Sequence, residues 1–245
     1  MWGRLGWAEV RGRYRRTVIG PFWAVLSLAI FIIIFSIVWA RLWKINVVEF
    51  LPYVSAGMIT WTMLSTIINE GCLTFTVAEA LIKSLCFPYT VLTCAVTWRN
   101  LILFIHNLIV YVGIAIFCGV PLTWATLLII PGLFIICVNG IWVATLLGML
   151  CARFRDVPQL ITIFLQVLLF VTPIFWTYDQ LGGRMGAALV NFNFLLHYLE
   201  VVRMPMLGKV PTMYSWAVVI AGTVIGWWLT LLVYSRFRRR VPYWL

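Results

Sequence analysis

Three ionisable side chains stand inside long apolar runs of this chain: Glu70, Arg99 and His106. Charge in such sequence is costly unless it faces a protein interior or a cavity, so each is a candidate functional residue. Counting about 1.5 Å per helical residue from the outer end puts Glu70 roughly 26 Å deep, level with Arg99. The two could pair across neighbouring antiparallel helices, or each could snorkel to the headgroups alone. His106, followed by Asn107, is expected to make an interhelical hydrogen bond rather than bind a ligand. Bond-making chemistry lacks its parts. The sequence contains no G-x-x-x-x-G-K-[ST] phosphate loop. Its two histidines, His106 and His197, fall at different expected depths and suit neither a metal nor a bis-histidine haem. The seven acidic residues are dispersed, and the six cysteines show no C-x-x-C spacing and read as small buried hydrophobes. No catalytic residue, cofactor or metal is expected, and the chain is not expected to be an enzyme.

The elements that must hold these residues are six apolar stretches: Phe22–Ala40, Tyr53 to about Ala78, Tyr89–Cys118, Trp124–Leu150, Pro158–Trp176 and Ser215–Tyr234. A helix needs about 20 residues to cross the hydrocarbon core, and lipid offers no partner to open backbone amides. Strand alternation is absent, which excludes an outer-membrane barrel. The expected fold is therefore an all-α polytopic membrane protein with six transmembrane helices. The composition agrees, at 64% hydrophobic and 10% charged with a mean hydropathy of +1.03. Of eighteen Lys and Arg, all but Arg41, Lys44, Arg184, Arg203 and Lys209 fall on one side if the N-terminus is cytoplasmic. That asymmetry predicts both termini in the cytoplasm. It also accounts for most of the +11 net charge, which sits at span ends beside anionic headgroups and does not call for nucleic acid. The basic start and full-length first apolar run predict no cleavable signal peptide.

Between the spans, three segments invite a role. Residues Trp2 to Ile19 place Trp7, Val10, Tyr14 and Val18 on one helical face edged by arginines. Such a helix lies in the membrane interface, either as a lipid anchor or presented to a cytoplasmic partner; Gly20-Pro21 ends it. The surplus ends of the second and third stretches meet near Glu79 and Lys83, where a short helix could protrude and Pro88 would close it. Residues 177–212 hold the apolar run Phe192–Leu199, then Glu200, Arg203 and Pro205. The run is too short to span. It suits short helices dipping into the outer leaflet, or a purely structural hairpin. Glu200 and Arg203 could brace the turn as an i, i+3 pair. Gly140, Ala144 and Gly148 on the fourth span, and Gly222 and Gly226 on the sixth, are spaced for close helix contact.

Together these motifs resemble a known family. Arg13-Tyr-Arg-Arg-Thr-Val-Ile-Gly-Pro-Phe-Trp23, Ile68-Asn-Glu-Gly-Cys72 with Glu79-Ala-Leu-Ile-Lys83, Trp98-Arg-Asn-Leu-Ile102 with His106-Asn107, Gly148-Met-Leu-Cys-Ala-Arg-Phe-Arg-Asp156, Thr172-Pro-Ile-Phe-Trp176 and Leu199-Glu-Val-Val-Arg203 occur in order. The chain resembles permease subunits of type-2 ABC exporters for bacterial surface polysaccharides, nearest to the O-antigen (lipopolysaccharide) group. The resemblance implies a homodimer in the bacterial inner membrane with two cytoplasmic ATPase subunits, which would bind ATP and Mg. The implied cargo is a polysaccharide on undecaprenyl diphosphate. It divides the single transmembrane domain, 1–245, into an interface helix (1–20), spans one to five (22–176), a periplasmic gate segment (177–213), span six (214–235) and a basic cytoplasmic tail (236–245).

By motif, Trp7 and Tyr14 would face the ATPase, Glu79 and Lys83 would start the coupling helix, and Asn193, Phe194, Glu200 and Arg203 would belong to the gate. The family usually carries Asn-Pro where this chain has Asn193-Phe194. The chain also starts close to its basic motif, so part of the family's usual N-terminal extension is expected to be missing or the start incomplete. A sugar chain needs a wet, weakly binding route. Phe31, Phe35 and Trp39, at i, i+4 and i+8, form one stripe that could line it, or could face lipid or packing partners. The alternatives are an exporter of another polymer, such as teichoic acid or capsule, and an integral-membrane glycolipid-processing enzyme.

Overall fold

The computed structural model describes residues 22–85, 87–177 and 193–245, together with Gly3, Gly6, Trp7 and Gly12, which are helical. Tyr14 and most of the expected interface helix lie outside the described residues, as do residues 178–192 of the expected gate segment. The regular structure of the described residues is all helical: α1 Phe22–Trp43, α2 Val47–Val77, α3 Glu79–Ser84, α4 Thr90–Cys118, α5 Ile129–Arg153, α6 Val157–Val171, α7 Phe194–Met206, α8 Met213–Phe237 and α9 Val241–Trp244. Short 3-10 turns at Trp124–Leu128 and Arg238–Arg240 lead into α5 and α9. Five of the described helices, α1, α2, α4, α5 and α8, are long and apolar enough to cross a bilayer. The protein is an all-α, multi-pass membrane protein.

The fifth apolar stretch behaves differently from the other five. Its helix, α6, has 15 residues and stops at Val171, short of the expected end at Trp176. Pro173 explains the stop. A residue before proline is pushed out of the α region, and Thr172 is extended, with φ −75° and ψ 133°. Thr172 to Trp176 then run as a non-helical, mostly buried segment.

Helix α2 is the hub of the bundle. It packs on α1, α4, α5, α6 and α7, and the apolar side chains Phe50, Val54, Ile59 and Ile67 are almost wholly buried along it. It approaches α5 through small residues on both sides. A Cβ on Gly71 would come within 2.8 Å of the Ala144 Cα, and one on Gly148 within 3.1 Å of the Gly71 carbonyl oxygen. Gly222 and Gly226 of α8 serve the same purpose, making room for Tyr198 and Trp142 respectively. With the backbones this close, dispersion contacts and interhelical hydrogen bonds supply the packing energy that the hydrophobic effect cannot provide in lipid.

Helix α7 sits inside the bundle. It packs against α2, α5 and α8, and ten of its 13 residues are buried, among them His197, Glu200 and Arg203. Asn193 caps it by accepting the Leu196 N–H at 3.2 Å, so the helix starts without the proline usual in the resembled family.

Candidate functional site

The α7 end of the bundle holds a buried polar cluster centred on Arg203, whose side chain is fully inaccessible. Its guanidinium donates through Nη1 to the Pro173 carbonyl at 2.5 Å and lies 4.5 Å over the Tyr53 ring. Nη2 is 3.8 Å from Glu200 Oε1, an i, i+3 ion pair. The proline that ends α6 thus leaves an unused carbonyl that α7 recruits. Tyr53 of α2 reaches the same turn, donating its hydroxyl to the Pro173 and Trp176 carbonyls at 2.8 and 3.3 Å. Asn193 adds a further tie, donating to Thr172 Oγ1 at 2.8 Å.

On the far side of α7, Glu200 receives a hydrogen bond from Ser215, in the first turn of α8, at 2.8 Å. The Ser215 hydroxyl also lies 3.1 Å from His197 Nδ1 and 2.9 Å from Thr212 Oγ1. Further along α7, Tyr198 donates to Asn139 Oδ1 at 2.9 Å. Trp142 donates to that same oxygen, and the Asn139 amide donates to Thr223, both at 2.7 Å. The result is one short helix bonded at once to the segment that follows α6, the first turn of α8 and the middle of α5. Phe194, at its first residue, is exposed on one side and meets the Tyr198 ring at 4.9 Å.

Nearer the other end of α2, Glu70 and Arg99 form the cross-helix pair. Glu70 Oε2 accepts from Arg99 Nη2 at 2.7 Å and Nε at 3.2 Å, and from Asn100 at 2.8 Å. The pair is largely buried. The neighbouring Asn69 accepts from Thr162 at 3.0 Å, so two consecutive residues tie α2 to both α4 and α6. His106 differs from expectation. Its Nδ1 lies 2.8 Å from the Ile102 carbonyl of its own helix, and its ring meets Phe22 edge-on at 6.1 Å. A carbonyl one turn back is always within reach of a helical side chain, and here it takes the bond expected to cross helices.

Beyond Val77, α3 projects Glu79 and Lys83 to the exterior as an i, i+4 pair at 2.6 Å. The hydrogen bond from Lys83, together with its charge, holds the Glu79 carboxyl below the usual carboxylate range. Trp7 is exposed, while the adjacent Gly6 is buried against Ala95 and Trp98 of α4.

On α1 the stripe is a stack. Phe31 and Phe35 are 5.4 Å apart and Phe35 and Trp39 4.6 Å apart, both nearly parallel. Phe175, from the segment after α6, joins at 4.2 Å from Phe35. Phe31 is exposed, whereas Phe35 and Trp39 are half-buried against the core.

The comparisons with known proteins decide the family. A family described as ABC-2 type transporter matches residues 2–207. The chain belongs to the ABC-2 type transporter family. No curated protein matches it. Membership makes this ABC-2 transporter a transmembrane subunit of an ABC exporter, and the match takes in α1 to α7, with the Glu70–Arg99 pair and Arg203 but not Ser215 of α8.

Charge inside apolar runs singles out Glu70, Arg99 and His106, and the i, i+3 spacing after an apolar run singles out Glu200 and Arg203; the two clusters form at Glu70–Arg99 and Glu200–Arg203. Tyr53, Asn100, Thr172, His197 and Ser215 were missed. Hydroxyl and amide side chains are common in membrane helices and carry no signal of their own. Pro173 was the available clue, since a helix that stops at a proline within a span leaves carbonyls beyond its end that other elements must satisfy.

Proposed function

We propose that this ABC-2 transporter is the channel-forming subunit of a homodimeric exporter. It moves an undecaprenyl diphosphate-linked polysaccharide of the O-antigen class across the bacterial inner membrane, driven by two cytoplasmic ATPase subunits. Both termini are cytoplasmic in this reading, so α3 faces the ATPases and α7 lies near the periplasm. Trp7, Tyr14, Glu79 and Lys83 are the contacts to the ATPases. ATP and Mg act there, in the partner, and the bundle supplies two states whose balance the partner shifts. Helix α7, with Asn193, Phe194, Glu200 and Arg203, closes the outer mouth.

The observation that carries the cargo class is the ring stack of Phe31, Phe35, Trp39 and Phe175. Flat aromatic faces meet sugar C–H groups without the strong hydrogen bonds that would stall a moving chain. The stack links α1 to the same proline turn that Arg203 and Tyr53 hold, so a glycan against the rings lies next to the element that would gate it.

The test is complementation in cells that lack this gene and make a defined O-antigen. Trp39→Ala and Phe31→Ala are expected to lower surface glycan about three- to tenfold, the loss of roughly 1 kcal/mol per ring contact, with membrane insertion intact. Undiminished surface glycan in both variants would remove the stack from the path. Rescue of teichoic acid or capsule export, and not of O-antigen, would reassign the cargo.

A further inference from the structure

The bundle has a second, smaller apolar core at the α3 end. It is built from Phe75 of α2, Ile82 of α3, Leu92 of α4, Met149 and Ala152 of α5, and Val241 of α9. Ile82 is the one buried residue of α3. A six-residue helix has no stability of its own, so its pose is set by what that side chain packs against. Val241, fully buried, packs in the same core, and α9 lies in contact with both α3 and α5. Trp244 secures α9 from the other side. Its ring is 5.9 Å from that of Phe237, at the end of α8, and 5.4 Å from the guanidinium of Arg153, the last residue of α5. Pro242 in the first turn preorganises this short helix. Val241 and Trp244 lie beyond the matched residues 2–207, while the other buried members of this core lie within them.

We propose that the segment Arg238–Leu245 is a strut that holds α3 in the pose needed to pass the ATPase stroke to the bundle. Val241 and Trp244 act as positioning residues. The proposal rests on the reading of α3 as the coupling element. Without the strut, α3 would keep its exposed Glu79 and Lys83 for contact with the partner but would rock on Ile82, so hydrolysis would continue while movement of cargo fell.

The experiment uses the chain assembled with its ATPase in vesicles, with an undecaprenyl diphosphate-linked glycan of defined sugar sequence as probe. ATP hydrolysis and glycan translocation are measured together. Val241→Ala and Trp244→Ala are expected to keep assembly and hydrolysis while glycan moved per ATP falls about fivefold or more. Trp244→Phe, which keeps an aromatic face over Arg153, should restore most of the ratio. An unchanged ratio in both alanine variants would overturn the strut, as would an equal loss in Trp244→Phe. If those variants fail to assemble, Ile82→Val trims the same contact from the α3 side and should lower the ratio in an assembled complex. Lost assembly there too would make the segment purely structural and overturn the proposal. Glu79→Ala with Lys83→Ala separates the two layers. A lowered ratio there, with an unchanged ratio in the strut variants, sinks only the strut; no change in either set sinks the coupling reading as well.

Discussion

Arg203 is the most demanding side chain in the molecule to keep where it is. Its guanidinium is wholly buried, and its Nε and Nη2 have no hydrogen-bond partner beyond the long Glu200 contact. Removing it would leave the buried Glu200 carboxylate without its counter-charge, and breaking such a buried pair costs about 3–5 kcal/mol. Arg203→Met is therefore expected to lower the melting temperature of the purified protein more than Tyr53→Phe does. Arg203→Lys should recover little, because an ammonium cannot both reach the carbonyl and lie flat on the Tyr53 ring. Equal melting temperatures for Arg203→Met and wild type would show the cluster to be energetically idle. The Glu70–Arg99 pair is the milder case, with solvent still reaching part of each side chain. Glu70→Gln and Arg99→Gln should each cost about 1–3 kcal/mol, with the double change costing less than the sum. Strict additivity would mean that the two side chains act independently. Glu70 and Arg99 were legible because charge is rare in apolar runs, and Glu200 and Arg203 because they stand three residues apart after one. The sequence could not show that Tyr53, Ser215 and Asn100 complete the clusters, because their polar atoms are affordable anywhere on a helix.

At the scale of elements, the close crossing of α2 and α5 sets the spacing of the whole bundle. Gly71→Leu would drive a side chain into the Ala144 backbone, which a Cβ alone already approaches to 2.8 Å. Overpacking of this kind costs about 1–3 kcal/mol. Gly71→Leu is expected to reduce folded yield, whereas Gly113→Ala, with nothing within 4 Å of its new Cβ, should leave yield unchanged. Matching yields for Gly71→Leu and wild type would mean that the two helices can part freely. The apolar runs for α1, α2, α4, α5 and α8 were legible because length and hydropathy alone define them. The end of α6 was not, because its run continues to Trp176 while Pro173 stops the helix. The centrality of α7 was also hidden. Its sequence suits a short helix dipping into the outer leaflet or a structural hairpin, and the polar groups of neighbouring elements, Ser215 and the Pro173 carbonyl among them, are what make burial of Glu200 and Arg203 possible.

The whole molecule can be followed as a line of ties. The exposed Glu79–Lys83 pair of α3 leads into α2 beyond Val77. Helix α2 carries the Glu70–Arg99 tie near that end and the Tyr53–Arg203 contact near the other. Displacing one end of α2 would thus load the cluster that fixes α7; in the proposed reading this is the connection between the ATPase at α3 and the outer mouth at α7. The most direct test is translocation by the complex of this chain with its ATPase, reconstituted in sealed vesicles with an undecaprenyl diphosphate-linked O-antigen on the ATPase side. ATP is expected to bring the glycan to the opposite side, where an added glycosidase can digest it. No glycan should cross without ATP or in ATPase-only vesicles. Sustained ATP hydrolysis with all glycan still protected from the glycosidase would contradict the assignment of this chain as the glycan's path.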